Sequence, residues 1–222
     1  MPRTPHPYSD RAEAGRRLGQ AVSDRLGDAA DDVVVLGLPR GGVVVAAEVA
    51  DALGAPLDVL VVRKIGAPGR PELAMGALAA GTEVRNADVV HALGIDDVTF
   101  AAAAEAERAR AQARERTYRG IHPATPLDGR TAVVVDDGLA TGATARAAVT
   151  ALRHRTDDRP QRVVLAVPVA PGDGLDGLSR LVDDVVCLST PRPFLAVGEW
   201  YRDFAQVSDD EVRALLRRRE VV

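Results

Sequence analysis

The run Val133-Val134-Val135-Asp136-Asp137-Gly138-Leu139-Ala140-Thr141-Gly142-Ala143-Thr144 constrains the fold more than any other stretch. Three consecutive valines leave no polar face, the pattern of a strand buried on both sides, as in a parallel sheet. Two carboxylates stand at its end. A loop of small residues follows, and Thr144 leads into an Ala-rich helix. Backbone N–H groups of such a loop and of the helix N-terminus can hold a phosphate. The paired carboxylates can take sugar hydroxyls, directly or through a metal. The segment therefore predicts a site for a phosphorylated sugar.

The remaining chain extends the strand–helix alternation. Met1 to Tyr8 is Pro-rich and expected to be loosely ordered. Ser9-Asp10 caps a helix to about Leu26, with Leu18, Ala21, Val22 and Leu26 at helical spacing. Val33 to Leu38 is an apolar strand that ends at Pro39-Arg40-Gly41-Gly42, and a helix runs from Val43 to Leu53. Asp58 to Arg63 reads as a second strand and Ile65 to Pro71 as a Gly/Pro-rich loop. Met75 to Val90 reads as a hairpin or two short strands, broken at Gly81-Thr82 and Asn86. Asp96 to Tyr118 is a long helix with a solvated face, where Glu105 and Arg108, and Glu107 and Arg110, are spaced to pair. Asp128-Gly129 turns into the opening strand, and Thr144 to His154 is the helix after it. Two more strands span Arg162 to Val167 and Asp184 to Leu188. A capped amphipathic helix covers Ser208 to Arg219, with Ser208 and Glu211 as its capping pair. Strands alternating with helices predict an α/β fold on a mostly parallel sheet. No repeat or linker divides the chain, so residues 1–222 are expected to form one domain.

Composition narrows the partners. A net charge of −4 over 222 residues gives no general attraction to nucleic acid or anionic lipid. No apolar run approaches the roughly 20 residues of a membrane span, and no signal peptide opens the chain. One cysteine, Cys187, lies in an apolar strand and reads as a structural thiol. A reducing cytoplasm is the expected compartment. The histidines His6, His91, His122 and His154 are scattered without metal-ligand spacing. Lys64 is the lone lysine among the 28 basic residues.

A second strand–loop–helix unit, Leu38-Pro39-Arg40-Gly41-Gly42, differs in kind. Paired glycines let the backbone approach an anion, and Arg40 adds a charged donor suited to phosphate. Taken alone it also fits a tight turn. In a parallel sheet, ligands bind beyond the carboxyl ends of strands, so both loops can face one crevice. Two anion loops flanking two carboxylates imply a sugar bearing two phosphate groups. No Walker sequence and no Gly-x-Gly-x-x-Gly follows a strand. No Gly-x-Ser-x-Gly and no Cys/His pair supports covalent catalysis.

Residues 133–144 resemble the phosphoribosyl pyrophosphate (PRPP) signature of type I phosphoribosyltransferases, and elements from about 10 to 205 follow that family's order. The resemblance implies that Asp136 and Asp137 contact ribose hydroxyls, with Mg²⁺ bridging those hydroxyls and the pyrophosphate. It implies that Gly138, Leu139, Ala140, Thr141, Gly142, Ala143 and Thr144 bind the 5′-phosphate. Pro39, Arg40, Gly41 and Gly42 look like the family's pyrophosphate loop, where one peptide is often cis. Arg63 and Lys64 are similar to the basic element that meets the pyrophosphate; Lys64 also reads as a plain surface charge. The run from Pro191 to Phe204 resembles a bacterial branch whose acceptors are unassigned. Phe194, Trp200, Tyr201 and Phe204 gather there, and such rings could stack an acceptor base or simply close the sheet edge. A hood is expected from the N-terminal segment and residues 191–207. The implied reaction displaces pyrophosphate from PRPP by a nitrogenous acceptor, without an evident general base. A PRPP-binding regulator of the same fold and a phosphosugar hydrolase stand as alternatives, and dimers are common in the family.

Overall fold

Runs of valine and leucine with no polar face become the inner strands of a sheet covered on both sides. The computed structural model describes residues 7–27, 32–120 and 123–217. The first half contains α1 (Arg11–Leu26), β1 (Val33–Gly37), α2 (Gly41–Leu53), β2 (Leu57–Val59), β3 (Val62–Ala67), β4 (Arg70–Ala79) and β5 (Thr82–Arg85). Then come α3 (Ala87–Ala92), α4 (Asp97–Arg119), β6 (Thr131–Val135), α5 (Ala143–Arg153), β7 (Arg162–Val169), β8 (Asp184–Ser189) and α6 (Asp209–Arg217). A wholly parallel sheet runs β2-β1-β6-β7-β8, and an antiparallel sheet runs β3-β4-β5.

Side chains alternate across the parallel sheet, and both faces are buried. Val33, Val35, Val133, Val135, Val164 and Ala166 pack with α1, α2 and α6. Val34, Leu36, Ala132, Val134, Val163 and Leu165 pack with α5 on the other face. Burial on both faces explains why these strands read as unbroken apolar runs. The antiparallel sheet packs on α4 and α5 and carries its own core of Ile65, Met75, Leu78 and Phe100. The fold is the expected α/β architecture. Among the described residues no helix is long and apolar enough to cross a membrane.

Two expected boundaries are corrected. Asp58–Arg63 is not one strand. Leu60 still donates to the Gly37 carbonyl at 3.0 Å, but the chain then leaves the parallel sheet and Val62 pairs with Ala79. Ile65–Pro71 is not a loop either, because β3 and β4 pair from Val62 to Ala67 and only Pro68-Gly69 turn between them. The expected hairpin after Met75 is present, followed by the short helix α3. The Pro-rich start through residue 6, His6, His122 and positions 218–219 of the expected final helix lie outside the described residues.

Candidate active site

The carboxyl ends of β1 and β6 lie side by side, and that adjacency builds the site. Leu38, just past β1, donates to the Val135 carbonyl at 2.9 Å. The chain segments that follow, 39–42 and 136–142, then run against each other. A Cβ on Gly41 would lie 1.9 Å from Oδ2 of Asp137, and one on Gly42 would lie 2.8 Å from the Val135 carbonyl and 3.0 Å from Oδ1 of Asp136. At Gly42 main chain blocks any side chain while the loops keep this contact, and at Gly41 one would displace the side chains of Asp137 and Arg11. The Pro39–Arg40 peptide is cis.

Two helices begin at this edge, and they differ from the others. The helices α1, α3 and α4 are capped by the side chains of Asp10, Asn86 and Asp96, and each carries an acidic residue in its first turn. Ser208 donates its hydroxyl to Glu211 and accepts the Glu211 N–H, and α6 starts with three acidic residues. In contrast, the N-cap residues of α2 and α5 make no side-chain cap bond and neither helix has an acid in its first turn, although the Thr141 hydroxyl accepts the Ala143 N–H at 3.4 Å. Their caps are Arg40 and the left-handed Gly142 (φ 69°). N–H groups left free by the N-cap residues and the positive end of a helix dipole suit an anion, and at α2 the carboxylates of Asp137 and Asp136 already lie against Gly41 and Gly42. A cavity of about 190 Å³ opens at α5, lined by Asp136, the 138–145 loop and Val197.

The carboxylates are held unequally. Asp136 accepts the Asp137 N–H at 2.9 Å. Burial, and then the neighbouring Asp137 charge, push its pKa well above the ordinary carboxyl range. Asp137 is also raised by burial, but Arg11 works against that rise. Nε of Arg11 donates to Oδ2 of Asp137 at 2.8 Å, and the two side chains are only 11 % and 16 % exposed. Tyr201 donates its hydroxyl to the Asp137 carbonyl at 2.5 Å, and burial keeps that phenol protonated by raising its pKa.

The expected acceptor wall is only partly what the sequence implied. Tyr201 is 2 % exposed, with Tyr8 tilted against it and Phe204 stacked on it. A buried ring with two aromatic neighbours has no face left for a base, so its place on that wall is corrected. Trp200 and Phe194 are half-buried. Phe204, 37 % exposed, instead carries Arg11 over its ring at 3.8 Å. Residues from both chain ends do meet. Tyr8 bridges Tyr201, and Asp203 donates its N–H to the Ser9 carbonyl at 2.8 Å.

The basic residues also divide. Lys64 is exposed within β3, paired with Ala77, rather than at the end of a parallel strand. Arg63 pairs with Glu107 at 2.8 Å. Arg40 is half-buried at the head of α2, and Thr141 and Thr144 are exposed at the loop. Cys187 is half-buried, donates to the Ser189 carbonyl and has its thiol pKa raised by burial, as a structural thiol should. His91 and His154 are exposed and far apart in sequence, and among the described residues no three His, Cys, Asp or Glu cluster. Sequence reasoning missed Arg11. Its partner is 126 positions away, and nothing in a capped amphipathic helix marks its first residue for a distant carboxylate.

Comparison with known proteins adds to this geometry. The model of the phosphoribosyl transferase domain matches residues 9–199. Two Mycobacterium tuberculosis proteins, Rv0571c of strain H37Rv and MT0597 of strain CDC 1551, carry provisional phosphoribosyl transferase names. Each is 50 % identical over 212 residues, covering 95 % of this chain and 46 % of its own length. The chain thus spans about half the length of the curated relatives it matches. A crystal structure of TT1426 from Thermus thermophilus is similar at TM-score 0.82 and 43 % identity, covering 94 % of this chain and 97 % of that one.

Proposed function

The chain belongs to the phosphoribosyl transferase domain family, and from that premise we propose that it transfers the phosphoribosyl group of PRPP to a nitrogenous acceptor, releasing pyrophosphate. One observation carries the reading. The two helices whose N-cap residues make no side-chain cap bond, and which lack first-turn acids, begin at the crevice that holds Asp136 and Asp137. In this reading the 138–144 loop and the start of α5 take the 5′-phosphate. The 39–42 loop and Arg40 take the diphosphate. Asp136 and Asp137 accept the ribose hydroxyls.

The acceptor nitrogen bonds to C1 of the ribose as the bond from C1 to the diphosphate oxygen breaks, and the electron pair leaves with pyrophosphate. Positive charge develops on the ribose ring, and the Asp136–Asp137 pair would stabilise that charge. Much of the remaining acceleration is positioning. Among the described residues no third His, Cys, Asp or Glu joins Asp136 and Asp137, and such a pair would meet an ion that arrives on the diphosphate, as Mg²⁺ does with substrate phosphates. When bound, Mg²⁺ supplies charge neutralisation to the leaving group.

The covered ring of Tyr201 favours a second reading, a regulator that binds PRPP without turnover. An assay separates the two. Purified protein is incubated with PRPP, Mg²⁺ and a panel of nucleobases, and pyrophosphate release is followed. Release that depends on one base supports the transferase. Tight PRPP binding without release for any base supports the regulator.

A further inference from the structure

One guanidinium joins four parts of the molecule at the candidate site. Arg11 opens α1 and pairs with Oδ2 of Asp137 at 2.8 Å. Its Nη1 donates to the Ala205 carbonyl at 2.8 Å, and the ring of Phe204 lies 3.8 Å away across its face. On a further side is the glycine loop, since a Cβ on Gly41 would come 2.8 Å from Arg11 Nε. Tyr201, from the same C-terminal segment, fixes the main chain of Asp137 through its carbonyl. A planar fork held by a carboxylate, a carbonyl and a ring has little freedom to turn. With Oδ2 taken by Arg11, the Asp137 carboxylate is held in one orientation beside Asp136.

We infer that Arg11 is a positioning residue that aims Asp137 at a ribose hydroxyl, with Phe204 and Ala205 holding the guanidinium in place. The inference rests on the reading that this crevice takes a phosphorylated ribose. Arg11 touches no ligand atom in this account. It fixes the orientation of that carboxylate and joins the C-terminal segment to the acidic pair. Its loss should therefore erode recognition of sugar hydroxyls and leave recognition of phosphate intact.

The test compares ribose 5-phosphate with 2-deoxyribose 5-phosphate by calorimetry on the full chain. A hydrogen bond to a charged carboxylate predicts that the parent prefers ribose 5-phosphate by about tenfold or more. Arg11→Met should bring the two affinities within about threefold of each other, by lowering ribose 5-phosphate binding alone. Arg11→Lys keeps the charge but not the planar fork, and should restore part of the preference. A merely structural role would weaken both ligands equally. If Arg11→Met fails to fold, Phe204→Leu carries the test, because it removes the ring beside the guanidinium and leaves both charges in place. An Arg11→Met or Phe204→Leu protein with the parent's full preference, or with equal losses for both ligands, overturns the inference. A parent that shows no preference overturns the ribose reading, and the inference with it.

Discussion

Asp136 is a carboxylate placed where folding does not favour its charge. Burial and Asp137 raise its pKa, so the folded state keeps a proton that the unfolded chain releases. Stability then falls as pH rises from the unfolded carboxyl value of about 4 through the raised folded value. Asp136→Asn keeps the shape and the bond from the Asp137 N–H while removing the charge. It should raise stability at neutral pH by about 1 kcal/mol, or roughly 2–4 °C in Tm, and the gain should vanish near pH 3. Melting curves across that range check it. A neutral-pH Tm at or below the parent's contradicts the assignment. Gly41→Ala should act in the opposite sense. Its Cβ would overlap Oδ2 of Asp137 and crowd Arg11 Nε, displacing that ion pair at a cost of about 1–3 kcal/mol and abolishing phosphosugar binding. The acidic pair was legible in sequence because its members are adjacent and follow three valines. Arg11 was not, because only the closed fold brings α1 to them.

Elements were legible where one face pattern admits one partner. The runs at 33–37, 131–135 and 162–169 are apolar on both faces and became inner parallel strands. The stretch Val59-Leu60-Val61-Val62 is apolar throughout as well, yet the chain changes sheets inside it. Burial looks the same in either sheet, and no Gly or Pro marks the crossing. That change moved Lys64 onto the antiparallel sheet. If Lys64 nonetheless reaches the diphosphate, Lys64→Met should weaken PRPP by about tenfold and leave ribose 5-phosphate unchanged, and equal losses for both would remove it from the site. The start of α5 makes a sharper prediction. Ala143→Asp adds an acid to its first turn, which should stabilise the helix by about 0.3–1 kcal/mol through the dipole. The same charge should repel a phosphate there. Raised Tm together with at least tenfold weaker ribose 5-phosphate binding is the expected pair of results, the affinity loss being about 1.4 kcal/mol. Unchanged affinity would show that α5 does not hold the phosphate.

At the scale of the molecule, one parallel sheet places two anion-ready helix starts and an acidic pair at a single edge. Residues from both chain ends close beside them through Tyr8, Tyr201 and Arg11. The order of elements was readable because strands and helices alternate. A hood from the N-terminal segment and residues 191–207 was expected from the resemblance, but the bonds that hold it, such as Tyr201 to Asp137, have no local pattern. The account stands on the crevice between residues 38–42 and 136–144 taking a doubly phosphorylated ribose. Titration calorimetry of the full chain with PRPP, with and without Mg²⁺, tests that most directly. The predicted result is Mg²⁺-dependent binding of PRPP that ribose 5-phosphate competes away and that Gly41→Ala abolishes. No binding of PRPP at millimolar concentration in the presence of Mg²⁺ would contradict it.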